Sequence, residues 1–397
     1  MGRGVVLPLL AFATPALAQD QRPTGYPRSA NERPEHPVTV SAVYTADIRS
    51  NVDGGGKRGT RYLDNFDLQV AIDADRLIGW HGARLFAYGI YNNGVSLSGL
   101  AGDVQTISNI ETKVRAARLF EAWVEQDIGD SASVKAGLYN LNSEFDTTQS
   151  GGLFLISSHG IGPDFSQSGR NGPSIFPVTS LAIRGEVKLG EHWLGRLAVL
   201  DGVPGDPEHP RRTAIKLSGR DGALIVSEVN YLKGGTKAAI GFWRYSARFD
   251  ALLPGDVSGR GNEGAYVFAE KRLTGTRADD PAGLAGWLRY GIADTRYNRI
   301  SGYLGGGLVY TGLSHSRKND QIGLSFAAIG FGNRYLRAQH LAAIPSEHRE
   351  IVVEAVYNTI LGPWLSVQPD VQYVVNPGGD PRLNNAIVMG LRIKVGQ

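Results

Sequence analysis

The chain is 397 residues long, with 52 glycines, no cysteine, a hydrophobic fraction of 42% and a formal net charge of +3. Without cysteine, a disulfide scaffold, a thiolate nucleophile and Cys-based metal sites are excluded together, and so balanced a charge argues against nucleic acid as a partner. No stretch beyond the N-terminus approaches the ~20 apolar residues of a membrane helix, which leaves a transmembrane barrel open, because half of its strand residues face a polar lumen.

Met1 to Ala18 reads as a secretory signal: Arg3, an apolar run from Val5 to Ala13, then Ala16-Leu17-Ala18 as the cleavage site. Residues 19–37 are polar and rich in proline and arginine, and are expected to form a periplasmic lead-in without a core. Residues 38–397 are assigned to the barrel. Strands are predicted over 38–47, 63–73, 83–92, 117–127, 132–140, 179–189, 193–201, 222–232, 236–246, 263–273, 284–294, 303–313, 320–330, 349–360, 363–375 and 385–395. That is about sixteen, an even number within the range of single-chain barrels.

The alternation behind these spans has period two. Phe66, Leu68, Val70 and Ile72 alternate with Asp67, Gln69, Ala71 and Asp73. Leu181, Ile183 and Val187 alternate with Arg184, Glu186 and Lys188, and Ile387, Met389, Leu391, Ile393 and Val395 stand against Gly390, Arg392 and Lys394. One lipid face and one watery face produce this pattern. A soluble β-sandwich alternates as well, so the connections must discriminate. Residues 128–131, 190–192, 233–235 and 361–362 are short links; 93–116, 141–178, 202–221 and 331–348 are long ones. Short periplasmic turns alternating with long external loops are the topology of an outer-membrane barrel. Pro369 falls within a strand, where a ladder position excludes it, and is placed at a bulge. Trp80, Trp193, Trp287 and Trp364 fall near periplasmic strand ends and Trp243 toward the other rim, the heights of aromatic girdles. Trp123 falls mid-strand on the face of Glu121 and Glu125, opposite Phe120, Ala122 and Val124; that face is read as the lumen.

Several segments resemble the carbohydrate-selective porins of the OprB family. They are Gly137-Leu138-Tyr139-Asn140-Leu141-Asn142-Ser143-Glu144-Phe145-Asp146, the stretch from Gly160-Ile161-Gly162-Pro163-Asp164-Phe165 to Ser174-Ile175-Phe176-Pro177, and Arg118-Leu119-Phe120-Glu121-Ala122-Trp123. Gly102-Asp103-Val104-Gln105, Leu200-Asp201-Gly202-Val203-Pro204-Gly205, Gln368-Pro369-Asp370-Val371-Gln372-Tyr373 and Asn376-Pro377-Gly378-Gly379 fit the same pattern. The likeness runs from about Val43 to Arg392. It implies an all-β, sixteen-stranded transmembrane antiparallel barrel whose inward-folded long loops narrow a charged, aromatic pore for sugars. One departure is the C-terminus, Lys394-Val395-Gly396-Gln397, where outer-membrane barrels usually end on an aromatic residue; this puts the usual assembly signal in doubt.

A sugar carries hydroxyls around its edge and apolar C–H faces. A selective pore therefore needs hydrogen-bonding charged groups and an aromatic surface, each weak enough to release the solute. Arginine supplies a multi-donor fork and carboxylates accept from hydroxyl pairs. The candidates are Arg118, Glu121, Trp123 and Glu125 on one strand, Lys135 and Tyr139 on the next, and Arg184, followed by Glu186 and Lys188, on the third. The long 141–178 connection, expected to be the main constriction, adds Glu144, Asp146, Asp164 and Arg170. Each charge has a plain alternative as part of a cross-strand ladder, Trp123 as packing beneath a loop, and the connection as an ordinary surface loop.

Other signals fail on context. Gly259-Arg260-Gly261-Asn262-Glu263-Gly264 matches a dinucleotide fingerprint but lies between a loop and a strand; no Walker pattern follows Gly54-Gly55-Gly56. The eight histidines show no metal spacing, no G-x-S-x-G elbow occurs, and Asp73 with Asp75 lies at a turn. No cofactor, metal or catalytic residue is expected. The resulting expectation is passive diffusion of small sugars such as glucose across the outer membrane, with small carbohydrates and outer-membrane lipid as partners and a homotrimer left open. The alternatives are a general diffusion porin, an outer-membrane barrel enzyme and an exported soluble carbohydrate-binding β protein.

Overall fold

The computed structural model describes residues 36–275, 282–314 and 316–396. The signal segment, most of the polar lead-in and Gln397 lie outside the described residues. The described chain holds sixteen strands. The first eight are β1 (Val38–Gly55), β2 (Gly59–Asp73), β3 (Ala83–Asn92), β4 (Ala116–Ile128), β5 (Ala132–Tyr139), β6 (Ser180–Lys188), β7 (Trp193–Asp201) and β8 (Ala223–Lys233). The others are β9 (Thr236–Phe249), β10 (Gly259–Arg272), β11 (Gly283–Ala293), β12 (Ile300–Thr311), β13 (Gln321–Phe331), β14 (Arg349–Gly362), β15 (Leu365–Val375) and β16 (Asn384–Gly396). Each strand pairs antiparallel with its sequence neighbour, and β1 closes on β16 from Val43↔Gly396 to Gly55↔Asn384. Closure leaves no unpaired sheet edge, the condition for a strand structure to stand in hydrocarbon.

The distribution of side chains is inverted relative to a soluble protein. Ile183 (62% exposed), Ile240 (64%) and Leu324 (58%) face outward, while Asp47, Arg49, Arg184, Glu228 and Glu354 are almost fully buried inside. An apolar belt around a polar interior fits lipid outside and water or inserted loops within. It does not fit a soluble sandwich, whose inner face would be apolar.

The start of β1, the end of β16 and the links at 129–131, 189–192, 234–235 and 363–364 lie at one rim, the periplasmic one. The 93–115, 140–179, 202–222 and 332–348 loops rise from the other. The length rule is looser than expected. The periplasmic link 74–82 carries a helix, α1 (Ala74–Ile78), and the external link 56–58 is among the shortest.

Pro369 does not sit at a bulge. It pairs with Leu391 of β16 in unbroken register, and the ladder to β14 skips from Val356↔Asp370 to Thr359↔Val367 without a shift. The missing N–H removes a bond locally, and the flanking pairs hold the register.

Trp80, Trp193 and Trp364 are about half-exposed near the periplasmic rim, as a girdle requires. Trp243 and Trp287 depart from expectation. Both are buried inside, because they share strand parity with the inward Tyr245 and Arg289 rather than with the outward Phe242 and Leu288. Height alone placed them at a membrane interface; parity places them under inserted loops.

Candidate pore constriction

The constriction begins with a bulge in β4. Tyr88 pairs with Glu121 and Gly89 with Leu119, so Phe120 is an extra residue. The insertion switches parity. Arg118 and Phe120 on one side of it, and Glu121, Trp123 and Glu125 on the other, all turn inward, while Leu119 faces lipid. Phe120, assigned to the outer face by strict alternation, packs inside against Tyr88, with ring centroids 5.1 Å apart.

The 140–179 loop folds into the barrel and meets this wall. Glu144 accepts from Lys135 Nζ at 2.8 Å, from Arg184 Nε at 2.8 Å and Nη2 at 2.7 Å, and from the Tyr139 hydroxyl. Glu125 accepts from Arg184 Nη2 at 2.6 Å and from Ser133 Oγ at 2.9 Å. Arg196 donates to the Glu144 carbonyl at 2.9 Å and to Glu186 Oε2 at 2.7 Å. Lys135 Nζ also sits 4.1 Å over the Trp123 ring, which stacks on Phe86 and donates from Nε1 to Glu121 Oε2 at 3.1 Å. Burial by itself would raise the Glu144 carboxyl; Arg184, Lys135 and Arg196 override it and hold the group well below the usual glutamate range. Glu144 therefore stays ionised across physiological pH, at the centre of a charged and aromatic lumen cluster.

The rest of the loop is anchored across the lumen by one repeated device. Wall carboxylates accept from its backbone N–H groups: Glu228 from Asp146 at 2.8 Å, Glu270 from Gln149 at 2.8 Å, and Glu354 from Leu155 at 2.7 Å and Ile156 at 3.2 Å. A buried irregular loop must place its backbone donors somewhere, and each wall carboxyl group offers two oxygens to accept them. Arg289 of β11 holds Asp146 at 2.7 Å and also pairs with Asp164 of the short helix at Pro163–Ser166. Phe165 stacks on Trp243 with centroids 5.0 Å apart and planes 4° from parallel. His159 bridges Tyr303 and Ser325, at 2.8 and 2.9 Å, and burial pushes its imidazole down to about 3, so it stays neutral. The 93–115 loop enters by the same means. Glu350 accepts from Val104 N at 3.0 Å, Gln372 donates to the Ile107 carbonyl at 2.9 Å, and Ser108 donates to Asp47, itself paired with Arg392.

Eight of the thirteen residues expected from sequence thus converge: Glu121, Trp123, Glu125, Lys135, Tyr139, Glu144, Arg184 and, through Arg196, Glu186. Lys188 instead donates to the Asp130 carbonyl at a periplasmic turn, and Asp164 pairs with Arg289. Asp146 lies inside but belongs to the separate Arg289 cluster. Arg118 is higher, donating to Asn92 and to the Pro210 carbonyl of the 202–222 loop. Arg170 is at the outer rim, donating to the carbonyls of Arg220 and Arg248. Arg196, Arg289, Glu228, Glu270 and Glu354 were missed. Arg196, Arg289 and Glu354 stand at inward positions between apolar or glycine neighbours, and Glu228 and Glu270 share the inward parity of Asn230 and Phe268, so parity could have placed all five in the lumen, but their partners on a loop distant in sequence were invisible.

Against known proteins, residues 57–396 match the model of the family described as "Carbohydrate-selective porin, OprB family". Porin B of Pseudomonas aeruginosa is 26% identical over 395 residues, covering 88% of this chain and 86% of that protein. A putative porin of Acinetobacter baylyi, QuiX, is 22% identical over 406 residues, covering 89% and 88%. Among solved structures, the high-pH form of Pseudomonas putida OprB shares the fold with a TM-score of 0.80 at 21% identity, covering 91% of this chain and 94% of that one. The DcaP channel of Acinetobacter baumannii shares it at 0.55 and 11% identity, covering 91% and 97%.

Proposed function

The chain belongs to the OprB family of carbohydrate-selective porins, and on that premise we propose that it passes small, glucose-sized sugars through the outer membrane by passive diffusion past the Glu144 cluster. The observation that carries this reading is the meeting of Glu144 with Lys135, Arg184 and Arg196 beside Trp123 and Tyr139 in a lumen narrowed by two inserted loops. Arginine forks and carboxylates exchange hydrogen bonds with hydroxyls, and the aromatic rings offer a flat apolar face; none of these contacts is strong enough to trap the solute. Asp146 and Arg118 act one layer away, the first by fixing the loop and the second at the entrance. Arg170 contributes at the rim. No covalent step and no cofactor enter this mechanism.

Swelling of proteoliposomes made with the purified barrel tests it. Glucose should permeate much faster than a neutral disaccharide, and Arg184→Gln should narrow the difference. Equal, size-independent entry of sugars and of uncharged non-sugar solutes of the same mass would favour a general diffusion porin. Absence of glucose entry through a correctly inserted barrel would refute the proposal.

A further inference from the structure

The lipid-facing surface of β9 and β10 carries an unbalanced pair of charges at the outer rim. On β9 the outward row runs Ile240, Phe242, Arg244, Ser246, Arg248, so an apolar stretch gives way to arginine toward the external end. On β10, Val267 and Glu263 share that face. A register shift between Arg260 and Asn262, with Gly261 at φ +91°, then returns Arg260 to it, directly across from Arg248. Like charges directly opposite on one face repel. Arg244 has a carboxylate, Glu263 Oε2 at 3.3 Å. Among the described residues Arg248 has none and donates only to the Ser258 carbonyl at 2.9 Å. Arg260 makes no hydrogen bond or ion pair with any described residue. Arg170 lies behind, its Nη2 3.0 Å from the Arg248 carbonyl oxygen, with its own charge met by Asp221 at 3.5 Å.

We infer that Arg248 and Arg260, with Arg244 beside them, bind a phosphate of an anionic glycolipid of the outer leaflet, whose acyl chains lie along Ile240, Phe242 and Val267. A guanidinium fork matches phosphate oxygens two at a time, and an anion between the two arginines turns their repulsion into a clamp. The apolar row directly below is what distinguishes a lipid from a free anion. The inference rests on the barrel and its orientation, not on the identity of the sugar.

The test titrates the detergent-solubilised barrel with lipid A, a bisphosphorylated diglucosamine lipid, and counts retained lipid by native mass spectrometry. At roughly fivefold per arginine near a lipid surface, R248Q/R260Q should bind lipid A about 25-fold more weakly. Enzymatically dephosphorylated lipid A should bind the wild type as weakly as lipid A binds that variant. R76Q, an exposed cation at the periplasmic rim, should leave retention unchanged. R260E provides a second variant whose folding is favoured: it pairs with Arg248, should raise the temperature of heat-modified migration, and should still lose lipid A. Undiminished lipid A binding by R248Q/R260Q or R260E would overturn the inference, as would equal binding of the dephosphorylated lipid. Full displacement of lipid A by millimolar inorganic phosphate would show a bare anion site and overturn the lipid assignment. Glucose swelling is read separately, so failure here leaves the transport reading standing.

Discussion

Replacing Glu144 by Gln removes one charge from the centre of the constriction with little change in shape. Around it Lys135, Arg184 and Arg196 stand among Glu121, Glu125 and Glu186, with Arg84 and Glu228 at the edge, so the variant makes the cluster one charge more positive. A hydrogen bond to a charged partner is worth about 1.5–3 kcal/mol against about 1 for a neutral one, and three cationic bonds end on this carboxylate. The loss is therefore about 3 kcal/mol, in line with the ~3–5 kcal/mol for breaking one side of a buried pair. It should appear as looser docking of the 140–179 loop: a lower temperature of heat-modified migration, larger single-channel current noise, and a reversal potential shifted toward anion selectivity. The pH dependence has a definite sign. Because the folded carboxyl titrates below its usual value near 4.5, its contribution is fully present above that value and is lost only as pH falls through the lower folded one. Wild-type noise should stay flat from pH 8 to 5 and rise in stronger acid, whereas the Gln variant should be noisy throughout. Wild-type conductance and ion selectivity in E144Q, at every pH, would refute the reasoning.

Trp123→Ala removes the Phe86 stack and the surface beneath Lys135. It should destabilise by ~3–5 kcal/mol, the cost of a large aromatic deletion, and weaken glucose block of single-channel current; unaltered block would exclude the indole from the sugar path. Phe165→Ala unseats the loop from Trp243, with a similar ~3–5 kcal/mol loss and a rise in conductance readable in planar bilayers. Arg289→Met leaves Asp146 and Asp164 buried without their cation, at a cost of ~3–5 kcal/mol. Restoring much of that loss with D146N/D164N in the same background, measured by heat-modified migration, checks that the charge imbalance is the cause.

Strand-level order was legible in the chain itself. The predicted spans 83–92 and 193–201 coincide with β3 and β7, and the others differ only at their ends, because lipid outside and polar groups inside impose a period of two that composition cannot hide. Arg184, Lys135 and Glu125 were placed inward on this ground alone. The 140–179 loop was less legible. Phe145, Leu153, Phe154, Ile156, Ile161 and Phe165 are all buried against walls built by residues up to about two hundred positions away. Spread through a Gly- and Ser-rich stretch, they show no period, and without their partners they are indistinguishable from those of a surface loop.

The same division applies to single residues. Parity fixed which face a side chain takes, until one inserted residue at Phe120 reversed it, and no local property of Leu119-Phe120-Glu121 marks a bulge. Trp243 and Trp287 carried a height but not a neighbour, and only barrel closure brought Phe165 and His159 against them. The sequence by itself determined the barrel, its strand order and the inward charges, since these follow from local alternation and solvent contrast. Tertiary structure alone decided that Glu144 lies among Lys135, Arg184 and Arg196, and that wall carboxylates hold the loops inside. A loop backbone donor has no sequence signature, and its acceptor is chosen only when closure brings the opposite wall within hydrogen-bond distance.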